Sequence, residues 1–176
     1  MTLTEITTIV AEFVRDHQAW AAPVVFLLAM LEALAFLSLF VPATVLLLAI
    51  GAVVSAAGLS FTPLWIAGGF GGAVGYSLSY VLGAWYGERA FNVWPFRNHP
   101  MLIDRSRRFF DKYGIAAVFI GHFVGPVRAV IPVVAGVYGV NRVSFEIANI
   151  LAAFIWITSV LSPGFAATGL LGTFPR

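Results

Sequence analysis

Residues 113–141 read YGIAAVFIGHFVGPVRAVIPVVAGVYGVN. These 29 residues hold one formal charge, Arg128, together with five glycines (Gly114, Gly121, Gly125, Gly136, Gly139) and two prolines (Pro126, Pro132). A straight helix of that length would reach about 43 Å at 1.5 Å per residue, well past an apolar bilayer core of about 30 Å. The breakers oppose a straight helix in any case, because proline removes a backbone donor and clashes with the turn before it. Non-helical backbone survives at membrane depth only where protein buries it or where it lines a wet cavity. The stretch therefore reads as a broken, re-entrant hairpin turning at Gly125-Pro126, with Pro132 and Gly136 shaping its second arm.

The rest of the chain agrees with a membrane setting. Of 176 residues, 60% are apolar and only 10% charged, where an ordinary soluble domain is about 25% charged. That balance excludes a water-soluble globule, which would lack polar surface, and also disorder, which needs low hydrophobicity and high charge. With no cysteine, disulfides, thiolate metal sites and cysteine nucleophiles are excluded. A net charge of +2 points to no nucleic-acid partner. Between Asp16 and Glu88 the one formal charge is Glu32, and from Ile147 to Pro175 there is none. The segment 88–112 gathers six basic residues against three acids, which places it in the cytoplasm by the positive-inside rule.

An organisation follows. Residues 1–17 lack the basic start of a signal peptide. Thr2 and Glu5 fit a capping box, and Leu3, Ile6, Val10, Phe13 and Val14 share a helical face. This is an amphipathic helix, either interfacial or packed on a soluble partner; periodicity does not separate the two. The 43 residues from Gln18 to Ser60 are too many for one span and break at Phe40-Val41-Pro42-Ala43-Thr44. They form either two full spans or a re-entrant hairpin with Pro42 near its tip. Residues 64–87 make one glycine-laden span, with Gly68, Gly72 and Gly75 at small-residue spacing. Residues 145–172 make another, kinked at Pro163 and Gly164. Both halves carry an apolar arm, a Phe-Val-(Gly)-Pro break, a polar residue two beyond the proline (Thr44, Arg128) and a later glycine (Gly51, Gly136). Two apolar stretches can rhyme by chance. Taken as a repeat, the second copy lies upside down, as in many secondary transporters.

The expected fold is thus a single all-α polytopic membrane domain over 1–176. It comprises an inverted repeat of re-entrant hairpin plus transmembrane helix, with amphipathic interfacial helices. Its parts are an interfacial helix (1–17), a first repeat (18–87), a basic amphipathic connector (88–112) and a second repeat (113–172). In the connector, Leu102, Phe109 and Tyr113 share a face and arginines cover the other. That pattern suits attraction to anionic head groups, about 1 kcal/mol per basic residue, or serves as a plain topology signal. Trp20, Trp85 and Trp94 near span ends fit interfacial anchors.

Chemistry rests on few side chains. Glu32 lies deep in an apolar run, where an ionisable group costs at least about 2.5–3.5 kcal/mol unless paired or wet. It is either a proton carrier and ligand-side partner or a structural group. Arg128 bears the same cost and cannot escape it by becoming neutral; its planar fork suits a phosphate or carboxylate. The alternative is that the two neutralise each other, and both readings can hold at once. His122, six residues before Arg128, is a ligand-side group or a bonded core residue. No second His, Asp or Glu stands at metal-ligand spacing, so no metal is expected. No catalytic residue, cofactor or enzyme activity is expected either, since neither a Ser-His-Asp set nor a G-x-S-x-G elbow is present.

Several motifs then line up in order. Phe109-Phe110-Asp111-Lys112-Tyr113-Gly114 is followed by Gly121-His122-Phe123-Val124-Gly125-Pro126-Val127-Arg128 and by Pro132-Val133-Val134-Ala135-Gly136. Phe145, Asn149 and Trp156 come after them, and Ser79-Tyr80-Val81-Leu82-Gly83-Ala84-Trp85-Tyr86-Gly87 before. From about Trp20 to Gly169 the chain resembles the DedA family, also called SNARE-associated or VTT-domain membrane proteins. The resemblance implies re-entrant hairpins in an inverted repeat, a bacterial inner membrane, and movement of phosphorylated lipids between leaflets. Polyprenyl phosphate and phosphatidylethanolamine are the implied cargoes, with coupling to protons and the possibility of homo-oligomers. The family's first acid matches Glu32 and its second arginine Arg128, while its second acid falls on Thr44, its first arginine on His122, and a further acid on Tyr76. Arg128, His122, Glu32 and Thr44 are therefore the expected substrate-binding residues, with Glu32 coupling protons. The alternative is a non-transporting organiser or biogenesis factor for another membrane protein.

Overall fold

The computed structural model describes residues 16–34, 43–94 and 96–167. Seven α-helices run through them: α1 (Gln18–Ala33), α2 (Ala43–Ala56), α3 (Phe61–Tyr86), α4 (Pro100–Tyr113), α5 (Ala116–Gly121), α6 (Ile131–Val137) and α7 (Arg142–Ala167). The 3-10 segments Gly87–Asn92 and Phe96–Asn98 link α3 to α4, and a third, Gly125–Ala129, joins α5 to α6. No strand occurs among the described residues. The expected interfacial helix at 1–17 lies almost wholly outside them, as does Pro42.

The two long helices, α3 and α7, have 26 residues each and extend about 39 Å. Within α7, Arg142–Gly164 is long and apolar enough to cross a membrane. Pro163 lies inside α7 without ending it, and the helix runs on to Ala167. Both long helices turn apolar ridges outward: Ile66, Phe70, Val74 and Leu78 on α3, and Ile147, Leu151 and Ile155 on α7. Exposed rows at helical spacing are the reverse of a water-soluble helix, whose apolar stripe turns inward.

Helices α1 and α2, at 16 and 14 residues, reach only about 24 and 21 Å. The start of α1 and the end of α2 come together around a cavity of about 260 Å³ lined by Gln18, Ala21, Val54, Leu59 and Ser60. Helices α1 and α2 therefore run antiparallel, the start of one beside the end of the other. The stretch 113–141 is likewise broken, into six-residue α5, the 3-10 turn and seven-residue α6. Pro132 sits in the first turn of α6, where a missing N–H costs nothing.

Helix α3 packs on α1, α6 and α7, whereas α7 also packs on α2 and α5. Glycine sets how close these helices come. A Cβ on Gly83 would strike the Val133 carbonyl of α6, and one on Gly136 would strike the Tyr80 carbonyl of α3. The α2–α7 contact is built alike, with Gly51 against Leu161 and Gly164 against the backbone at Ala52. In lipid no hydrophobic drive separates helix from solvent, so small residues that admit close backbones hold helices together. The expected glycine face of α3 divides in two. Gly68 and Gly72 meet α7, at Ile157 and Ala153, while Gly75, with Gly71, meets α1.

Helix α4 needs a correction. Its buried row is Ile103, Ser106 and Phe110, and Leu102 and Phe109 pack only at the margin. Tyr113, expected on the apolar face, is 40% exposed. The face is rotated because α4 is clamped from one side by α5, α6 and the 3-10 segments, and a 103–106–110 row is the helical stripe they meet. Arg107 also departs from the outer face: its guanidinium lies 4.8 Å over the Phe91 ring and pairs with Glu88. Gly114, at φ 53°, ends α4 with a positive φ, which glycine adopts without the Cβ clash other residues meet.

Two substitutions separate close approach from mere glycine content. Gly83→Ala should lower the thermal unfolding midpoint of the purified protein in detergent, losing about 1–3 kcal/mol through forced backbone shifts. Gly72→Ala, whose Cβ would stand 3.6 Å from the Ala153 methyl, should be neutral or stabilising. Equal effects would remove the α3–α6 approach from the account.

Candidate functional site

Four elements converge on Arg128. The 3-10 turn Gly125–Ala129 carries it where α5 stops and α6 has not begun, so the break in the chain delivers the side chain sideways into the bundle. Glu32 comes from the last turn of α1, Tyr76 from the middle of α3 and Trp156 from the middle of α7.

Glu32 and Arg128 stand as a buried ion pair. Their residues are 5% and 9% exposed, and Arg128 Nη1 lies 3.3 Å from Glu32 Oε1. The guanidinium carbon lies 4.4 Å from the centroid of the Trp156 ring, a cation–π contact that gains strength where water is excluded. The Tyr76 hydroxyl donates to the Arg128 carbonyl at 2.8 Å, tying the 3-10 turn to α3. Tyr76 is the position where the resemblance led to an acid; here a fully buried phenol holds the arginine's backbone instead.

His122 caps α5 and is buried. Its Nδ1 bonds the Val118 carbonyl at 3.0 Å, so Nδ1 carries a proton, because a carbonyl only accepts. The imidazole lies tilted against Tyr76, with 3.8 Å between ring centroids and 36° between the ring planes. His122 and Arg128 thus reach the two sides of one tyrosine, the ring and the hydroxyl. Thr44 lies in the first turn of α2, its side chain outside what is described; the side chain of Pro126 is outside it as well.

Three nitrogens remain over. Among the described residues, Arg128 Nε, Arg128 Nη2 and His122 Nε2 are buried without a hydrogen-bond partner. Buried polar atoms are nearly always paired, and each one left unmade costs about 1–3 kcal/mol. Nε and Nη2 form one bidentate edge of the guanidinium fork, the edge that takes two oxygens of a phosphate or carboxylate. Glu32 occupies the fork at Nη1 and leaves that edge open.

A second polar group, passed over in the sequence, bridges α3 and α7. Ser77 donates to Glu146 Oε2 at 2.7 Å, and fully buried Asn149 donates to the Ala73 carbonyl at 2.9 Å. Arg142 Nε lies 3.9 Å from Glu146 Oε1. The signal for it was present: Arg142, Glu146 and Asn149 recur at helical spacing on one face. Further along the same seam, Trp65 Nε1 donates to Thr158 at 2.8 Å. Among the described residues no set of three His, Asp or Glu converges as for a metal.

Comparison with known proteins places these residues in a family. The VTT domain matches residues 41–166. The inner membrane protein YabI of Escherichia coli strain K12 is 31% identical over 88% of this chain and 61% of its own length. An uncharacterized membrane protein of Buchnera aphidicola is 28% identical over 93% of this chain and 64% of its own. The inner membrane protein YqjA of Escherichia coli is 26% identical over 77% and 60%. The chain therefore spans less than two thirds of the length of these relatives. No solved structure matches.

The ion pair makes a definite energetic demand. Glu32→Gln or Arg128→Gln alone should destabilise the protein by about 3–5 kcal/mol, because each leaves one buried charge uncompensated. The double substitution should recover a large part of that loss. Thermal or denaturant unfolding in detergent provides the cycle, and additive single losses would mean that the two charges do not interact.

Proposed function

Because this chain belongs to the VTT-domain family, also called DedA, and is a bacterial inner-membrane protein, we propose that it carries a phosphorylated lipid head group between leaflets. One observation carries the reading: the Nε–Nη2 edge of Arg128 and the Nε2 of His122 are all buried and unpartnered among the described residues. A phosphate oxygen pair would satisfy the guanidinium edge. The lipid tail stays in the bilayer, and only the head group enters. No nucleophile or metal takes part, and the protein acts as a non-enzymatic carrier.

Charge balance supplies the cycle. With Glu32 and Arg128 paired, the site is neutral. An anionic phosphate entering beside them would leave a net negative charge out of water, which costs several kcal/mol. A proton entering with the phosphate removes that cost. Glu32 can take it and release Arg128 fully to the phosphate. His122 is the second taker: with Nδ1 held by Val118, its Nε2 accepts a proton and then donates to the head group. Release reverses these steps, with Glu32 deprotonating and reclaiming Nη1. Polyprenyl phosphate and phosphatidylethanolamine both present the required phosphate.

The same reading includes an inverted repeat of re-entrant hairpins, and several contacts support it. The step along the chain that takes Gly83 to Gly164 also takes Gly72 to Ala153, Trp65 to Glu146 and Ser77 to Thr158. Under that step the α3–α6 glycine contact becomes the α2–α7 one, Gly72–Ala153 maps onto itself, and Trp65–Thr158 maps onto Glu146–Ser77. The same step carries α2 onto the 3-10 turn and α6, and helix pairing follows it there, α6 with α3 as α2 with α7. The shortness of α1, α2, α5 and α6 against a core of about 30 Å fits hairpins that enter and return.

Two experiments test the proposal. In proteoliposomes, flipping of labelled polyprenyl phosphate and phosphatidylethanolamine should be fast with the wild type. It should fall by roughly tenfold or more with Arg128→Lys, since a point charge replaces a bidentate fork. Glu32→Gln should still bind the lipid and turn it over slowly; unchanged flipping by Arg128→Lys would refute the clamp. For the hairpin, cysteines at Gln18 and Ser60 should react with an impermeant reagent from one side of the membrane, and a cysteine at Arg105 from the other. Labelling of a cysteine at Ala43 from the Arg105 side would make α1 and α2 full spans, and labelling of Gln18 and Ser60 from opposite sides would mean that they do not return.

A further inference from the structure

Two of the connector's three acids have partners of their own. Glu88 is taken by Arg107, which lies on Phe91. Asp111 turns toward Tyr138, whose hydroxyl is held above its ordinary range by partial burial and by the nearby Asp111 charge. Exposed on α4 are Arg105, Arg108 and Lys112 together with Asp104 and Asp111; the three cations fall at i, i+3 and i+7 on one helical row. Among the described residues no carboxylate stands within ion-pair distance of any of the three.

Other groups share that end of the molecule. Arg89 and Arg97 on the 3-10 segments are exposed. The end of α6 comes back to α4, with the Tyr138 ring 5.5 Å from Phe110, so Arg142 at the start of α7 opens at the same level. Trp85, in the last turn of α3, is 80% exposed, and Trp94 is 61% exposed. Rings of this kind, on a helix leaving hydrocarbon, sit at head-group depth. Among the described residues the opposite end, around Gln18 and Gly58–Ser60, carries no lysine or arginine.

From this placement we infer that the α4 end is a docking surface for the anionic phospholipid head groups of the leaflet it borders. Arg105, Arg108 and Lys112 form its contact row, and Trp85 and Trp94 are its ring anchors. The row is preset: Ile103 and Phe110 pin α4 to the protein from behind, so little ordering cost remains when lipid arrives. Helix α4 does not lie in the bilayer on its own apolar face, because that face is already covered. This surface is separate from the buried Arg128 site and does not depend on transport.

The test uses the full chain in neutral detergent with added phosphatidylglycerol or phosphatidylcholine. Native mass spectrometry reads retained lipid, and the unfolding midpoint reads stabilisation. The wild type should retain phosphatidylglycerol preferentially, and high salt should abolish the preference, because exposed charges are screened. Arg105→Gln, Arg108→Gln and Lys112→Gln together should weaken retention on the order of a hundredfold, about fivefold per charge. Arg105→Lys with Arg108→Lys should keep it, which shows that charge rather than packing is read. Equal retention of both lipids by the wild type would overturn the inference. So would a preference that survives the triple substitution or high salt; the salt titration on the wild type decides even if the triple variant fails to fold.

Discussion

A guanidinium held inside a membrane protein cannot shed its charge, and Arg128 therefore dictates what must surround it. The Glu32 carboxylate at 3.3 Å, the Trp156 face at 4.4 Å and the Tyr76 hydroxyl on its backbone are the arrangements that make its burial affordable. Each comes from a different helix, so α1, α3 and α7 must all reach the 3-10 turn. The turn in turn exists because Gly125-Pro126 stops α5 short. Even so, the compensation is incomplete. One edge of the fork and one imidazole nitrogen stay unpaired among the described residues, a residual demand of about 1–3 kcal/mol for each group.

Helix packing around the site obeys the economy of lipid rather than of water. The glycine contacts at Gly83–Val133 and Gly164–Ala52 bring backbones together where larger side chains would hold them apart. Dispersion and close backbone approach supply the attraction that apolar burial supplies in water. The seam between α3 and α7 is unequal at its two ends. One end is closed by Trp65 and Thr158, the other by Ser77, Glu146 and Asn149. The α3–α7 seam thus closes without charge at one end and with a carboxylate at the other.

Much of this was legible from scarcity. In a chain so poor in charge, Glu32 and Arg128 announce themselves as isolated ions in apolar runs, and their pairing is one of the two outcomes that such isolation permits. His122 was legible from its place beside the Gly125-Pro126 break. Trp156 and Tyr76 were singled out by the family resemblance alone and their roles were not legible, because aromatic residues are abundant here and periodicity assigns them to packing; only the fold shows that one lies over a guanidinium and the other bonds its carbonyl. Glu146 was passed over because it stands at the edge of a span beside Arg142, where a charge looks like an ordinary helix end. The buried face of α4 was misjudged for a similar reason: three apolar residues fit more than one stripe, and the partners that select Ile103 and Phe110 are distant in sequence.

The central claim is that the Nε–Nη2 edge of Arg128 receives a phosphate. Nitrogen NMR on arginine-labelled protein in nanodiscs addresses that edge directly, with the Arg128 signals assigned by their loss in Arg128→Lys. Titration with a polyprenyl phosphate should shift the Nε and Nη2 resonances of Arg128 and slow their proton exchange, while a polyprenyl alcohol of the same length leaves them unmoved. Signals that respond to neither lipid, or to both alike, would contradict the account.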